Sequence, residues 1–366
     1  MKNKKPKSIV RRIFRVIGIV LLAVVVLLAG MVGFLSVTEF KPADRETAAV
    51  SGTAARTLRP GDALTLVSWN IGYGALGDNA DFFMDGGSMV KTADKARVEQ
   101  NMNTICTALD DMQPDILLAQ ETDRNSSRSS HVNEYAALQD HLAGYTSSFA
   151  GNFKVAFLPY PVPPIGKVDS GLATYSAFSV SSAERVQLPV PFSWPMRMAN
   201  LKRCVLISRI PIEDSERELV IVNLHLEAYD DGEGKAAQTK MLAELLSAEA
   251  AKGNYVVAGG DFNQIFSTAN ADAFPIPADG WTVHEIDVTQ FDGAWQFLMD
   301  ETVPSCRSLY KTYAGADKDT FRYYIIDGFI VSGNLTVDDF ATQDLDFTAS
   351  DHNPVFLRVT ISEAEK

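Results

Sequence analysis

The chain has 366 residues, 46% of them hydrophobic and 22% charged, with a formal net charge of −13. That composition excludes wholesale disorder and allows one large domain or two small ones. The first 37 residues hold seven cations and no acid, which leaves −20 on the remainder, a body that is a poor non-specific binder of long polyanions.

In chain order, the cations come first: Lys2, Lys4, Lys5, Lys7, Arg11, Arg12 and Arg15, within a basic segment 1–15. Residues 16–37, Val16 to Val37, are uncharged, with Ser36 the one polar side chain. As a helix this run spans roughly 33 Å, enough for a bilayer core. The flanking Lys and Arg then stay cytoplasmic and the rest of the chain lies outside, giving a single-pass membrane protein with an extracytoplasmic domain. A cleaved signal peptide is the competing interpretation, but its apolar region is shorter and ends in a small-x-small site, which Gly33-Phe34-Leu35-Ser36-Val37-Thr38 does not offer. Residues 38–62 lack periodicity and read as a tether to a domain over 63–366.

Within that domain, short apolar runs at Leu64–Trp69, Asp115–Gln120, Gly171–Ser176, Cys204–Ser208, Leu219–Leu224, Tyr255–Gly259, Tyr324–Val331 and Val355–Val359 predict strands buried on both faces. Val98, Met102, Ile105, Leu109 and Met112 recur at helical spacing, and Lys235–Ala251 is a second helix ending before Gly253. Strands mixed with helices imply one layered α/β domain. Cys106, Cys204 and Cys306 match neither a disulfide framework nor a zinc site, and are expected as small buried hydrophobes.

Ligand-type residues stand at the ends of the apolar strands. Leu64–Trp69 delivers Asn70; Asp115–Gln120 delivers Glu121 and then Asp123; Leu219–Leu224 contains Asn223 and delivers His225. Tyr255–Gly259 delivers Asp261 and Asn263, Asp327 follows Ile325-Ile326, and Ser350-Asp351-His352-Asn353-Pro354 precedes the last strand. Strand ends converge at one rim of a sheet, where α/β folds place their sites. Oxygen-rich sets suit Mg²⁺ or Mn²⁺ better than zinc. Each residue alone has a plainer role, such as a turn or helix cap for Asp261 and Asn263 or a turn for Asn70; together they ask for six coincidences.

The ordered series Trp69-Asn70-Ile71, Gln120-Glu121, Asn223-x-His225-Leu226, Gly260-Asp261-Phe262-Asn263, Ile326-Asp327 and Ser350-Asp351-His352 resembles the endonuclease/exonuclease/phosphatase (DNase I-like) superfamily, as a membrane-anchored bacterial-type member. The resemblance covers roughly Leu64 to Val359. It implies a four-layer α/β sandwich with two packed mixed β-sheets, here preceded by one N-terminal transmembrane helix. It makes Glu121 the main metal carboxylate, assisted by Asn70 and Asp351, with Mg²⁺ expected and Mn²⁺ possible. Asp261 would activate the attacking water, Asn263 hold the phosphate or a second metal, His225 and His352 donate to phosphoryl oxygens, and Asp327 orient His352. Two departures stand out: Asp327 is followed by Gly328 where members usually carry Tyr or His, and the family's catalytic tyrosine has no clear counterpart, Tyr175 being one candidate.

Two segments bear on the substrate. Arg124 and Arg128 follow Glu121 closely and are candidate phosphate ligands, against a plain solvated loop. Phe149–Gly166 is apolar and proline-rich, either a lip that meets lipid or core. The resulting expectation is divalent-metal-dependent hydrolysis of a phosphoester, a phosphodiester by preference. A lipid headgroup stands somewhat ahead of nucleotide or nucleic acid, and no obligate protein partner is inferred. The alternatives are a DNase-like endonuclease or exonuclease, a non-catalytic surface binding module, and a two-carboxylate glycosidase, which leaves Asn70, Asn263 and both histidines unexplained.

Overall fold

A computed structural model of the chain describes residues 7–230, 232–274 and 281–362. Lys2, Lys4 and Lys5 of the basic segment and the last four residues of the expected domain lie outside the described residues. The chain opens with helix α1 (Lys7–Thr38), of which Ile9–Thr38 is long and apolar enough to cross a membrane. Short strands β1 (Arg45–Ala48) and β2 (Val50–Ser51) follow, then β3 (Ala63–Asn70), α2 (Lys95–Met112), β4 (Ile116–Asp123) and α3 (Glu134–His141). Next come β5 (Thr146–Leu158), β6 (Gly166–Ser176), β7 (Ser182–Gln187), β8 (Cys204–Pro211), β9 (Glu218–His225), α4 (Glu233–Ala250) and β10 (Tyr255–Asp261). The remaining strands are β11 (Gln264–Phe266), β12 (His284–Ile286), β13 (Trp295–Leu298), β14 (Cys306–Arg307), β15 (Tyr323–Tyr324), β16 (Asp327–Ser332), β17 (Leu335–Thr342) and β18 (Val355–Ile361).

Two seven-stranded mixed sheets dominate. One runs β1-β7-β8-β9-β10-β16-β13 and the other β17-β18-β3-β4-β6-β5-β2. The period-two alternation of each strand divides its side chains between two cores. Leu219 and Ile221 of β9, Tyr255 and Val257 of β10, and Leu64 and Leu66 of β3 meet in the layer between the sheets. The alternate residues Val220, Val222, Val256 and Ala258 pack outward with Leu242 and Leu246 of α4. Val67 and Trp69 pack with Val98, Met102 and Ile105 of α2. The result is the expected four-layer sandwich, and burial on both faces explains why the central strands read as mostly apolar runs.

Residues 38–62 are not a free tether. β1 pairs antiparallel with β7 and β2 with β5, so this segment adds an edge strand to each sheet, and Ala48 and Leu58 are buried. Strands of four and two residues are too short to show a period. The expected strand Tyr324–Val331 is also divided. Ser305 Oγ accepts from the N–H groups of both Ile326 and Asp327 at 3.0 Å, where a ladder would otherwise continue. All three cysteines are free; Cys204 and Cys306 are buried as expected, whereas Cys106 is only half-buried.

Candidate active site

Strand register brings the polar tips together. β10 runs parallel to β9 with Asp261 opposite His225, and antiparallel to β16 with Asp261 opposite Asp327. Three functional side chains thus stand abreast on neighbouring strands. On the facing sheet, β3 runs parallel to β4 with Asn70 opposite Gln120, and Val355 of β18 lies opposite Ser68. That places Asp351 and His352 beside Asn70. Gln120 Nε2 donates to Asn223 Oδ1 at 2.9 Å, and Asn223 Nδ2 donates to the carbonyl of Ala173 at 2.9 Å. Asn223 therefore pins one sheet to the other and fixes the distance between the two halves of the site.

The local backbone is unusual where chemistry is expected. Glu121 sits in a break of register between Ala119 and Thr122, and both it and Asn263 have φ of 51°. Non-glycine residues rarely occupy this left-handed region, and such strain gathers at functional sites. Gly260, immediately before Asp261, has φ of 153°, and a Cβ there would come 2.0 Å from the Leu224 carbonyl oxygen. Glycine is what lets β10 approach β9 this closely.

Asp261 is the hub. Its Oδ2 accepts from Asn70 Nδ2 at 3.1 Å and lies 3.2 Å from His225 Nε2 and 3.9 Å from His352 Nε2. Its Oδ1 accepts from the Asn263 backbone N–H at 2.8 Å. Burial, reinforced by the charge of Asp327, pushes the Asp261 carboxyl up to about 7. Burial works against a charge on His352 too, but the Asp327 carboxylate, with Oδ2 2.8 Å from Nδ1, carries its pKa well above the ordinary imidazole range. His225 goes the other way. Burial, with Arg203, His352 and Arg128 nearby, holds it well below that range. A proton-holding imidazole, a neutral imidazole and a carboxyl poised near neutrality share one pocket.

The second half of the site is carboxylate. Glu121 Oε1 is 3.4 Å from Asn70 Nδ2. Burial and the charge of Glu121 push Asp351 up, against His352 and Arg307, to about 6. Asp85, on the turn after Phe83, is pushed to about 7 by burial and then by Asp351 and Glu121. Gly72 leaves the room this arrangement needs, since a Cβ there would come 2.9 Å from Asp351 Oδ1. Mutually repelling oxygen donors of this kind fit a hard divalent cation, which would relieve the repulsion. Asp261, Asp327 and His352 form a second set, with one ligand atom from each lying within 4.8 Å of the others.

The structure brings together Asn70, Glu121, His225, Asp261, Asn263, Asp327, Asp351 and His352. It treats the two arginines differently. Arg128 clamps Asp123 with Nε at 3.1 Å and Nη2 at 3.0 Å, and its guanidinium lies 3.7 Å from the centre of the Tyr73 ring. Its donors are mostly committed within the protein, although it remains in the field of Glu121 and His225. Arg124 turns aside to pair with Asp169 at 3.5 Å, lies over Phe149, and lines a cleft with Phe40 and Lys154. Tyr175 is buried in the core, its hydroxyl donating to the Tyr135 carbonyl. Gly328 has a local cause: a Cβ would come 2.3 Å from the Leu298 carbonyl oxygen of β13. Sequence reasoning missed Asp85, Tyr229 and Arg203. Arg203 is buried with Nε and Nη1 lacking a hydrogen-bond partner, and acts electrostatically on both His225 and Asp261. None of the three belongs to a strand-end motif, so no spacing marks them.

Comparison with known proteins agrees with this geometry. The Endonuclease/Exonuclease/phosphatase family profile matches residues 67–352. Among solved structures, an endonuclease/exonuclease/phosphatase from Beutenbergia cavernae DSM 12333 is similar at TM-score 0.56 and 16% identity, over 82% of this chain and 72% of that one. ANGEL2, described as a 2',3'-cyclic phosphatase, is similar at 0.53 and 15%, over 86% and 98%. The human Nocturnin catalytic domain with bound sulfate is similar at 0.50 and 17%, also over 86% and 98%. At such identities the likeness is one of fold. No curated protein matches the chain. The match over most of its length places the chain in the endonuclease/exonuclease/phosphatase family as a metal-dependent phosphoesterase.

Proposed function

We propose that the protein hydrolyses a phosphodiester outside the cytoplasm, held at the membrane by α1, with Mg²⁺ as its ion and Mn²⁺ able to replace it. The observation that carries the mechanism is Asp261 at the centre of a ring of donors, with His352 held by Asp327 alongside. A carboxyl that ionises near neutral pH is matched to the work of a general base on water. Asn263, whose Nδ2 donates to the Leu226 carbonyl at 2.9 Å, is held against the end of β9 and helps place the phosphate. Asp327 Oδ2 accepts the hydrogen bond from His352 Nδ1–H, which leaves Nε2–H for a phosphoryl oxygen. A protonated imidazole is the stronger donor there, and His225 adds a neutral one. Glu121, Asn70 and Asp351 would hold the cation; when bound, it neutralises charge on the phosphoryl oxygens. We assign it there because Asp327 and His352 of the other set are already bonded to each other.

The diester preference and the location rest on the −20 body, the basic N-terminus and the apolar α1. A phospholipid headgroup is placed ahead of nucleic acid. Assay of the full chain with Mg²⁺ on phospholipid vesicles, mononucleotides and duplex DNA tests this order. Turnover of lipid is the expected result, and cleavage of DNA alone would reverse it.

A further inference from the structure

Outside α1, the exposed large apolar side chains among the described residues are Met84, Tyr160, Val162, Trp194, Met196 and Tyr229. Isolated ones need no explanation, but the segments that carry these six are linked in turn. Leu35, near the C-terminal end of α1, is buried against Val155 and Met198, with Met31, Val32, Phe153 and Leu158 around them. Ser36 Oγ donates to Met198 Sδ at 3.0 Å. Met198 belongs to the short turn Met196–Ala199 that also displays Met196, two residues beyond Trp194. Leu158 leads into the β5–β6 connection that displays Tyr160 and Val162, the latter 92% exposed. The Tyr160 ring contacts that of Phe83 at 6.0 Å between centroids, and Met84 is the next residue. Asp85 follows, in the field of Glu121 and Asp351, and Tyr229 lies in the field of Asp85 and Glu121. The apolar rim thus runs from the end of the helix to the mouth of the active site.

The height of this rim relative to a bilayer follows from α1. A hydrocarbon core of about 30 Å takes about 20 residues at ~1.5 Å each. Counted from Arg15, the last cation, that span ends at Leu35. The part of the body that packs on Met31, Val32 and Leu35 therefore stands at the membrane boundary, and so do the side chains displayed on the same segments. Trp and Tyr prefer this depth. The charge agrees: just past the helix, Glu39 is ringed by Arg197, Lys41 and Lys202 at 3.3, 3.4 and 3.6 Å. The Glu39 and Lys202 side chains are buried while Lys41 and Arg197 stay exposed, which leaves two cations displayed just past the helix on an otherwise acidic body.

We infer that the catalytic body lies on the bilayer in which its own helix is anchored, with this apolar rim in the headgroup layer and the active-site mouth opening onto the membrane surface, so that it takes a phosphodiester from a membrane lipid. The choice of lipid rests on the phosphodiester function proposed above; the apposition does not.

The test uses the full chain reconstituted into phosphatidylcholine vesicles with and without brominated acyl chains. Of the four tryptophans in the sequence, Trp194 is the exposed one. Wild type is expected to lose emission in brominated vesicles, and Trp194→Phe to lose markedly less. Equal loss in both, or no loss in wild type, would overturn the apposition. A second arm places Asp at 162 and 194 together (Val162→Asp, Trp194→Asp). Hydrolysis of vesicle phospholipid should fall roughly tenfold or more, while a soluble aryl phosphodiester is cleaved within about twofold of wild type. Equal falls on both substrates would overturn the claim for lipid. Quenching at Trp194 without turnover of either substrate would uphold the apposition and reject the phosphodiester function.

Discussion

Replacing Asp261 by Asn should make the protein more stable and nearly inactive, and the size of the gain should depend on pH. The wild-type carboxyl ionises near 3.8 in an unfolded chain and near 7 in this pocket, chiefly because burial penalises its charge. A raised folded-state pKa means that stability is full below the unfolded value and is lost as pH climbs through the folded one. At ~1.4 kcal/mol per pH unit the full loss is about 4 kcal/mol above pH 7, and about 2 kcal/mol has gone by pH 5. The substituted amide keeps the shape of the carboxylate and carries no charge, so in EDTA the advantage of Asp261→Asn should grow from about 2 to about 4 kcal/mol between pH 5 and pH 8.5. At roughly 2 °C per kcal/mol for a chain of this size, several degrees separate the melting curves at the higher pH. Turnover should fall roughly 10²–10⁴-fold with loss of the base. An advantage that is the same at both pH values, or a variant less stable at pH 8.5, would refute the claim that Asp261 is held under desolvation stress.

Other substitutions separate the remaining roles. Glu121→Gln should abolish turnover and the rise in melting temperature that Mg²⁺ gives wild type, about 2.7 kcal/mol at a hundredfold excess over Kd; a rise of undiminished size would remove Glu121 from the cation site. Asp327→Asn withdraws the charge that holds the proton on His352, so the alkaline limb of the kcat/KM profile should move to lower pH with kcat down roughly 10–100-fold. An unmoved limb would leave Asp327 without that function. Arg128→Ala leaves Asp123 buried and unpaired, and should cost about 3–5 kcal/mol in chemical denaturation. Arg124→Ala, paired at the rim with Asp169, should cost under ~1 kcal/mol and leave turnover within about twofold.

The centre of the fold was legible in the sequence because β3, β4, β9 and β10 are buried on both faces, and mostly apolar runs ending in Asn70, Glu121, His225 and Asp261 are hard to produce otherwise. The edges were not. β1 and β2 are too short to carry a period, and β5 buries the polar Ser147, Ser148 and Asn152 while exposing Lys154, so its sequence shows no apolar alternation. The division at Ile325-Ile326 depends on the Ser305 hydroxyl, well upstream in the chain, which no local pattern reveals. The same holds within the site. Strand ends are marked by the strands that deliver them, whereas Asp85, Arg203 and Tyr229 arrive from loops or adjoining segments and are recognised by their electrostatic neighbours alone. Arg124 and Arg128 lie close together in the chain, and their different partners, Asp169 and Asp123, were invisible to spacing.

Anomalous diffraction from crystals of the full chain soaked in Mn²⁺ addresses the central assignment most directly. A peak about 2.1 Å from carboxylate oxygens of Glu121 and Asp351, beside Asn70, is the expected result. A single peak bound instead by Asp261, Asp327 and His352 would contradict it, since the proposed base and its supporting imidazole would then be metal ligands.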